Sequence, residues 1–221
     1  MIWMMILAGL TVQDDTAAPA ARAEADALIA AAQAEGVFEN VTTGATPALR
    51  HVQSGMTCHF TPGEAGNGVT VYPAMGSDLA RGDNVACNTR ASRMDVTLYA
   101  TRYARQVTDR QVLDISASAI RARYPDAILY EGGFPLLTAP TRDTPPEHAV
   151  FTGQDDQGPF VTFLLVQHEG DWSYKFRGSR EGDDVVGAGM TGGLMFMNAL
   201  AGVGSPGCGG ASCSADENHS Q

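Results

Sequence analysis

Seven consecutive residues, Phe160-Val161-Thr162-Phe163-Leu164-Leu165-Val166, constrain this chain more than any other feature. The run is apolar on both faces, and turn chemistry bounds it at Gln154-Asp155-Asp156-Gln157-Gly158 and at His168-Glu169-Gly170-Asp171. It therefore reads as a central strand that needs cover on both sides. Its neighbours read as half-buried strands. Trp172, Tyr174 and Phe176 alternate with Ser173, Lys175 and Arg177, and Met94, Val96, Leu98 and Ala100 alternate with Asp95, Thr97 and Tyr99. Shorter strands are predicted at residues 49–52, 56–60, 69–72, 85–89, 128–130 and 149–152.

One strongly coded helix, residues 108–124, divides the strands into two groups. Thr108 and Gln111 have capping-box spacing, Val107 and Val112 are placed as a hydrophobic staple, and Pro125 ends the element. Leu113, Ile120 and Tyr124 form a stripe, with Val112, Ile115 and Ala119 beside it, so the helix can lie on a sheet. The fold class this implies is α+β: an antiparallel sheet flanked by helices, one compact domain with a flexible C-terminal tail.

Residues 1–20 read as a signal peptide. Met1-Ile2-Trp3-Met4-Met5-Ile6-Leu7-Ala8-Gly9-Leu10-Thr11-Val12 is uncharged and apolar, has the length of a leader core, and is followed by Ala18-Pro19-Ala20 as a cleavage motif. An uncleaved apolar segment of a cytosolic protein and a membrane tether are the other readings of this run. Residues 21–36 are expected to form an outer, weakly docked helix that ends at Gly36. Residues 37–204 form the α+β domain, and 205–221 are a Gly, Ser and acidic tail without a core of their own. Residues 185–204 carry no charge and contain the small-xxx-small spacing Gly189-Met190-Thr191-Gly192-Gly193. The simpler reading is a last buried helix that Asp183 and Asp184 start. The alternative is an envelope protein anchored by this segment.

The cysteines bear on compartment, because disulfides persist in oxidising spaces. Met56, Cys58 and Phe60 share one strand face, as do Val85 and Cys87, so both sulfurs can point into one apolar layer. Cys58–Cys87 is the favoured bridge, with two buried free thiols as the alternative. Cys208 and Cys213 lie in the glycine-rich tail and can close a small ring. His51, Cys58, His59 and Cys87 are the only set with metal-ligand chemistry, but His59 follows Cys58 and points away from it; a disulfide with surface histidines is the better account. His148 and His168 also read as surface residues.

Chemistry is otherwise sparse. There is no G-x-S-x-G, P-loop or G-x-G-x-x-G signature, Ser54-Gly55 and Gly178-Ser179 read as turns, and no cofactor is implied. Arg81-Gly82-Asp83 reads as a turn. A formal charge of −11, from 25 acidic and 14 basic residues, argues against nucleic acid; the basic set is Lys175 and scattered arginines, so an anionic membrane surface has no clear docking patch.

Residues 49–62, Leu-Arg-His-Val-Gln-Ser-Gly-Met-Thr-Cys-His-Phe-Thr-Pro, followed by the helix at 108–124 and hairpins over 149–177, resemble the PsbP-like fold at the level of topology. The resemblance implies a protein that binds or assembles rather than catalyses, and it assigns no functional residue. The chain also looks like small exported proteins of Gram-negative envelopes. The expectation is a periplasmic or secreted, non-catalytic binding or assembly protein, whose partner is a protein or small ligand of the envelope. Its contact surface is expected to involve the 135–146 loop, with Pro140, Arg142 and Pro145, and the exposed side of the Trp172 strand, although Trp172, Tyr174 and Phe176 read more simply as core. The alternative is a hydrolase whose site carries no motif; it requires His148 or His168 to meet a carboxylate in a cleft.

Overall fold

Different layers cover the two faces of the 160–166 run. The computed structural model describes residues 16–74, 79–133 and 144–203. In chain order these form α1 (Ala17–Ala31), β1 (Phe38–Asn40), β2 (Ala48–His51), β3 (Thr57–His59), β4 (Gly68–Val71), β5 (Asn84–Ala91), β6 (Met94–Arg102), α2 (Asp109–Arg123), β7 (Ile128–Leu129), β8 (Glu147–Asp155), β9 (Gly158–Glu169), β10 (Trp172–Glu181) and α3 (Val185–Ala199). Seven strands make one antiparallel sheet in the order β4-β5-β6-β10-β9-β8-β7, and β1-β2-β3 make a separate antiparallel sheet. Strand β9 pairs with β8 on one side and β10 on the other, and residues 160–167 are all buried.

On one face, Val161, Phe163, Leu165, Val96, Leu98, Tyr174 and Phe176 pack with Leu49, Met56, Cys58 and Phe60 of the small-sheet region and with Ala188 and Phe196 of α3. On the other, Leu164, Val166, Ala149 and Phe151 pack against Val112, Leu113, Ala117 and Ile120 of α2. The stripe at 3.6-residue spacing thus docks on strands whose alternation supplies the matching apolar rows. Thr108 accepts from the Gln111 amide and Gln111 reaches back to the Thr108 amide, which completes the capping box. The class is α+β in one compact domain.

A disulfide joins Cys58 of β3 to Cys87 of β5, with 6.3 Å between the Cα atoms and 29 positions between the residues. It clamps the small sheet onto the large one. In the chain-entropy model, closing a loop of this length contributes about 3.6 kcal/mol. Cys208 and Cys213 lie outside the described residues, as do most of the leader and the tail.

Helix α1 sits earlier than the sequence suggested, ending at Ala31, and Ala18-Pro19-Ala20 falls in its first turn. Its buried residues are Ala21 and Ala25, small enough for close approach to the sheets, and polar contacts hold it. Arg22 donates to the Thr42 carbonyl at 2.6 Å, and the Glu24 carboxylate accepts from Asn67 Nδ2 at 2.8 Å. The expectation of loose docking missed this polar fastening. The glycines of α3 also serve a different contact from the helix pairing their spacing suggested. A Cβ on Gly192 would collide with the Phe163 ring, so the missing side chain lets α3 lie directly on the sheet's aromatic rows. No described helix is long and apolar enough to cross a membrane; the 15 residues of α3 span about 22 Å.

Candidate functional site

Helix α2 covers β8 and β9, and among the described residues the β4-β5-β6-β10 half of the same face has no helix over it. The segment between β6 and α2 overhangs that open half. Beneath it lies a cavity of about 560 Å³. Tyr72, Asn84, Tyr99, Thr101 and Lys175 line it from the sheet side, Leu79 and Asp83 from the segment before β5, and Tyr103, Ala104, Arg105, Val107 and Ile115 from the overhang and α2. A second recess of about 410 Å³ shares Leu79, Arg102, Tyr103, Ala104, Arg105 and Val107 and continues to His168, Gly170 and Asp171.

Register fixes the floor. Ala86, Tyr99, Lys175 and Val166 are successive partners across β5, β6, β10 and β9 and so point to one side of the sheet. Lys175 Nζ lies 4.1 Å from the centroid of the Tyr99 ring, a cation–π contact. Burial, and then the neighbouring Arg177 charge, push the Lys175 ammonium below its usual pKa. Among the described residues it forms no ion pair. Burial likewise raises the Tyr103 phenol and, with the adjacent Tyr99, the Tyr72 phenol.

The wall beside Tyr99 is held by Asp83, which is 1% exposed. Arg102 donates to it twice, Nε to Oδ1 at 3.0 Å and Nη2 to Oδ2 at 2.8 Å, and the Ala80 amide donates to Oδ2 at 2.6 Å. Burial alone would raise this carboxyl; the hydrogen bonds and charge of Arg102, with the Ala80 amide and His51, hold it below its usual value. The Arg81-Gly82-Asp83 segment is thus a turn whose aspartate braces the cleft, and Arg81 donates to the Gln33 carbonyl.

Of the residues singled out from sequence, Pro140 and Arg142 lie outside the described residues and Pro145 is exposed. Trp172 is half-buried, its ring edge-on to His51 at 5.2 Å, while Tyr174 and Phe176 are core. The opposite side of the same strand carries Lys175 into the cleft. Sequence reasoning passed over Lys175, Tyr99 and the Asp83–Arg102 pair; the one available signal is that Lys175 is the sole lysine. His168 Nδ1 hydrogen-bonds to Asp109 Oδ1 at the start of α2, so a histidine and a carboxylate do meet beside the second recess. Ser173 is the register partner of His168, but it is 2% exposed and its hydroxyl has no partner among the described residues.

His51 is a correction: it is fully buried, whereas the sequence suggested a surface residue. It sits between the Phe38 and Trp172 rings, at 5.3 and 5.2 Å. Its Nδ1 accepts from the Ser54 amide at 3.3 Å and lies 2.8 Å from Ser54 Oγ, so the neutral ring carries its proton on Nε2 and takes the hydroxyl hydrogen at Nδ1. Tyr174 donates to the Ser54 carbonyl at 2.6 Å. Burial lowers the ring pKa to about 4, against an opposing pull from the Gly82 carbonyl and the Asp83 charge. A serine and a histidine this enclosed lock the β2–β3 turn onto β10 and do not meet solvent. His59 is exposed and His148 lies on the exposed start of β8.

Comparison of the chain with protein-family profiles, curated proteins and solved structures finds no match.

Proposed function

We propose that this is an exported, non-catalytic binding protein of the cell envelope, periplasmic or secreted, which holds a small organic ligand in the cleft over Tyr99 and Lys175. The observation that carries the reading is the cavity of about 560 Å³ on a half-sheet that no described helix covers. Its size falls in the range of ligand pockets, and its lining is apolar and aromatic with a few polar groups, as such pockets require. The Cys58–Cys87 bridge and the apolar leader run support export. The test uses the neutral fluorophore N-phenyl-1-naphthylamine. Saturable one-to-one enhancement, abolished by Ala104→Trp, supports the cleft; Ala104 is exposed on the overhang, so the substitution fills both recesses without entering the core. No saturable binding, or binding unchanged in Ala104→Trp, overturns it. Export is tested by the intact mass of protein from its native host: removal of about the first twenty residues, with Cys58 and Cys87 blocked to alkylation until reduction, supports it, and full translated length with free thiols refutes it.

A second reading rests on the His168–Asp109 pair, which meets the requirement set for a hydrolase without a motif. Asp109 would orient the imidazole as a general base for water, because Ser173 is too enclosed to serve as nucleophile. Hydrolysis of p-nitrophenyl acetate above background, lost in His168→Asn and kept in Ser173→Ala, would favour this reading over a purely binding role.

A further inference from the structure

We propose that the ligand is a small organic monoanion with an apolar, aryl-bearing body, its charged end held at Lys175 and its ring against the tyrosines. This deepens the binding reading and rests on it. The argument begins with charge. A chain with 25 acidic and 14 basic residues offers almost any surface cation a carboxylate partner. Yet its sole lysine stands in the cleft with an aromatic ring beneath it, another cation, Arg177, two positions along the strand, and no ion pair among the described residues.

The remaining charges of the cavity sharpen the sign. Among the described residues, its lining contains Arg102, Arg105 and Lys175 against Asp83, and Asp83 is consumed by the two hydrogen bonds from Arg102. Two cations, Arg105 and Lys175, are left facing the space. Asp171 lines the second recess with His168 and Gly170 and is not among the residues lining the cavity over Tyr99, so the seat for an anion is on the Lys175 side. A desolvated ammonium without a counter-ion is costly, and a bound carboxylate or sulfonate relieves that cost.

The apolar part of the ligand follows from the other walls. Tyr72, Tyr99 and Tyr103 present ring faces or edges, and Leu79, Val107 and Ile115 present aliphatic surface. Ile115 is 69% exposed, an open apolar side chain at the rim of the cavity. A ring fits such walls, whereas a small inorganic anion would leave them wet.

An isosteric charge series tests this. The carboxylate 4-phenylbutanoate, the neutral 4-phenylbutanamide and the cationic 4-phenylbutylamine compete with N-phenyl-1-naphthylamine on the wild-type protein. The expected order is carboxylate tightest, by about tenfold over the amide, with the amine weakest. Lys175→Met should remove that tenfold preference and leave the amide within about threefold, and Lys175→Arg should restore most of it. Reductive methylation offers a readout independent of any variant. Lys175 is the only side-chain amine, so its modification, read by peptide mass, should be slowed by the carboxylate and not by the amide. Equal competition by all three compounds, preference for the amine, or a carboxylate preference that survives Lys175→Met overturns the anion assignment while leaving the cleft intact. Absence of probe binding overturns the cleft itself.

Discussion

Acidification should destabilise this protein through His51 before most carboxylates titrate. The neutral ring is enclosed by Phe38 and Trp172 and accepts from the Ser54 amide and hydroxyl; a second proton on Nδ1 would abolish the amide interaction, reverse the hydroxyl one and leave a charge among the rings. The folded-state value is about 4 against an ordinary 6.5. The unfolded chain therefore takes up the proton first as pH falls. The stabilisation from burying a neutral ring is complete above pH 6.5 and is lost progressively down to about 4. Between pH 7.5 and 4.5 the loss comes to about 2.5 kcal/mol, a large fraction of an ordinary domain's stability. Urea unfolding of wild type and His51→Gln across this range isolates the contribution, because His59, whose pKa burial also lowers, and the carboxylates are common to both. The wild-type advantage at neutral pH should shrink by about that amount at pH 4.5. A wild-type advantage that does not vary with pH would refute the reasoning, as would an imidazole proton resonance of His51 that titrates near 6.5 in the folded protein.

Reduction of Cys58–Cys87, or the double change to alanine, should cost about 3.6 kcal/mol, read as a lower urea midpoint, and should loosen β3 from β5 in amide exchange. Gly192→Ala places a methyl group in the Phe163 ring and should cost about 1–3 kcal/mol despite the better helix propensity of alanine; thermal melting reports it. Arg102→Gln removes the two donors that hold the Asp83 carboxyl low, so that carboxyl's pKa should rise, as followed by the carbon chemical shift of its side chain.

The parts of the fold legible in the sequence are those where local chemistry and burial agree. The 160–166 run demanded two-sided cover and received it from α2 and α3, and the Thr108–Gln111 box placed α2 to the residue. Cys58 and Cys87 could be paired because the alternation around each pointed both sulfurs inward. Where partners far away in sequence decide, the reading fell short. Strand β10 runs on to Glu181 because β6 and β9 continue to pair with it past Gly178, a residue that locally looks like a turn. The separation of β1-β2-β3 into its own sheet left no mark in the alternation, since both sheets bury the same kind of face. His51 looked like a surface residue because its partners, Trp172 and Tyr174's contact at Ser54, come from a strand more than a hundred positions later. The cleft was hidden for the same reason: Tyr99 and Lys175 meet only through the β6–β10 register.

Lys175 itself provides the most direct measurement. Reductive ¹³C-methylation keeps its charge and gives a single side-chain amine resonance pair, and titration with 4-phenylbutanoate should shift it saturably, with nuclear Overhauser contacts from the ligand ring to Tyr99. If that resonance stays fixed while methyl signals elsewhere move, such as those of the exposed Met190 and Leu194 on α3, the ligand seat is not the cleft over Tyr99 and Lys175.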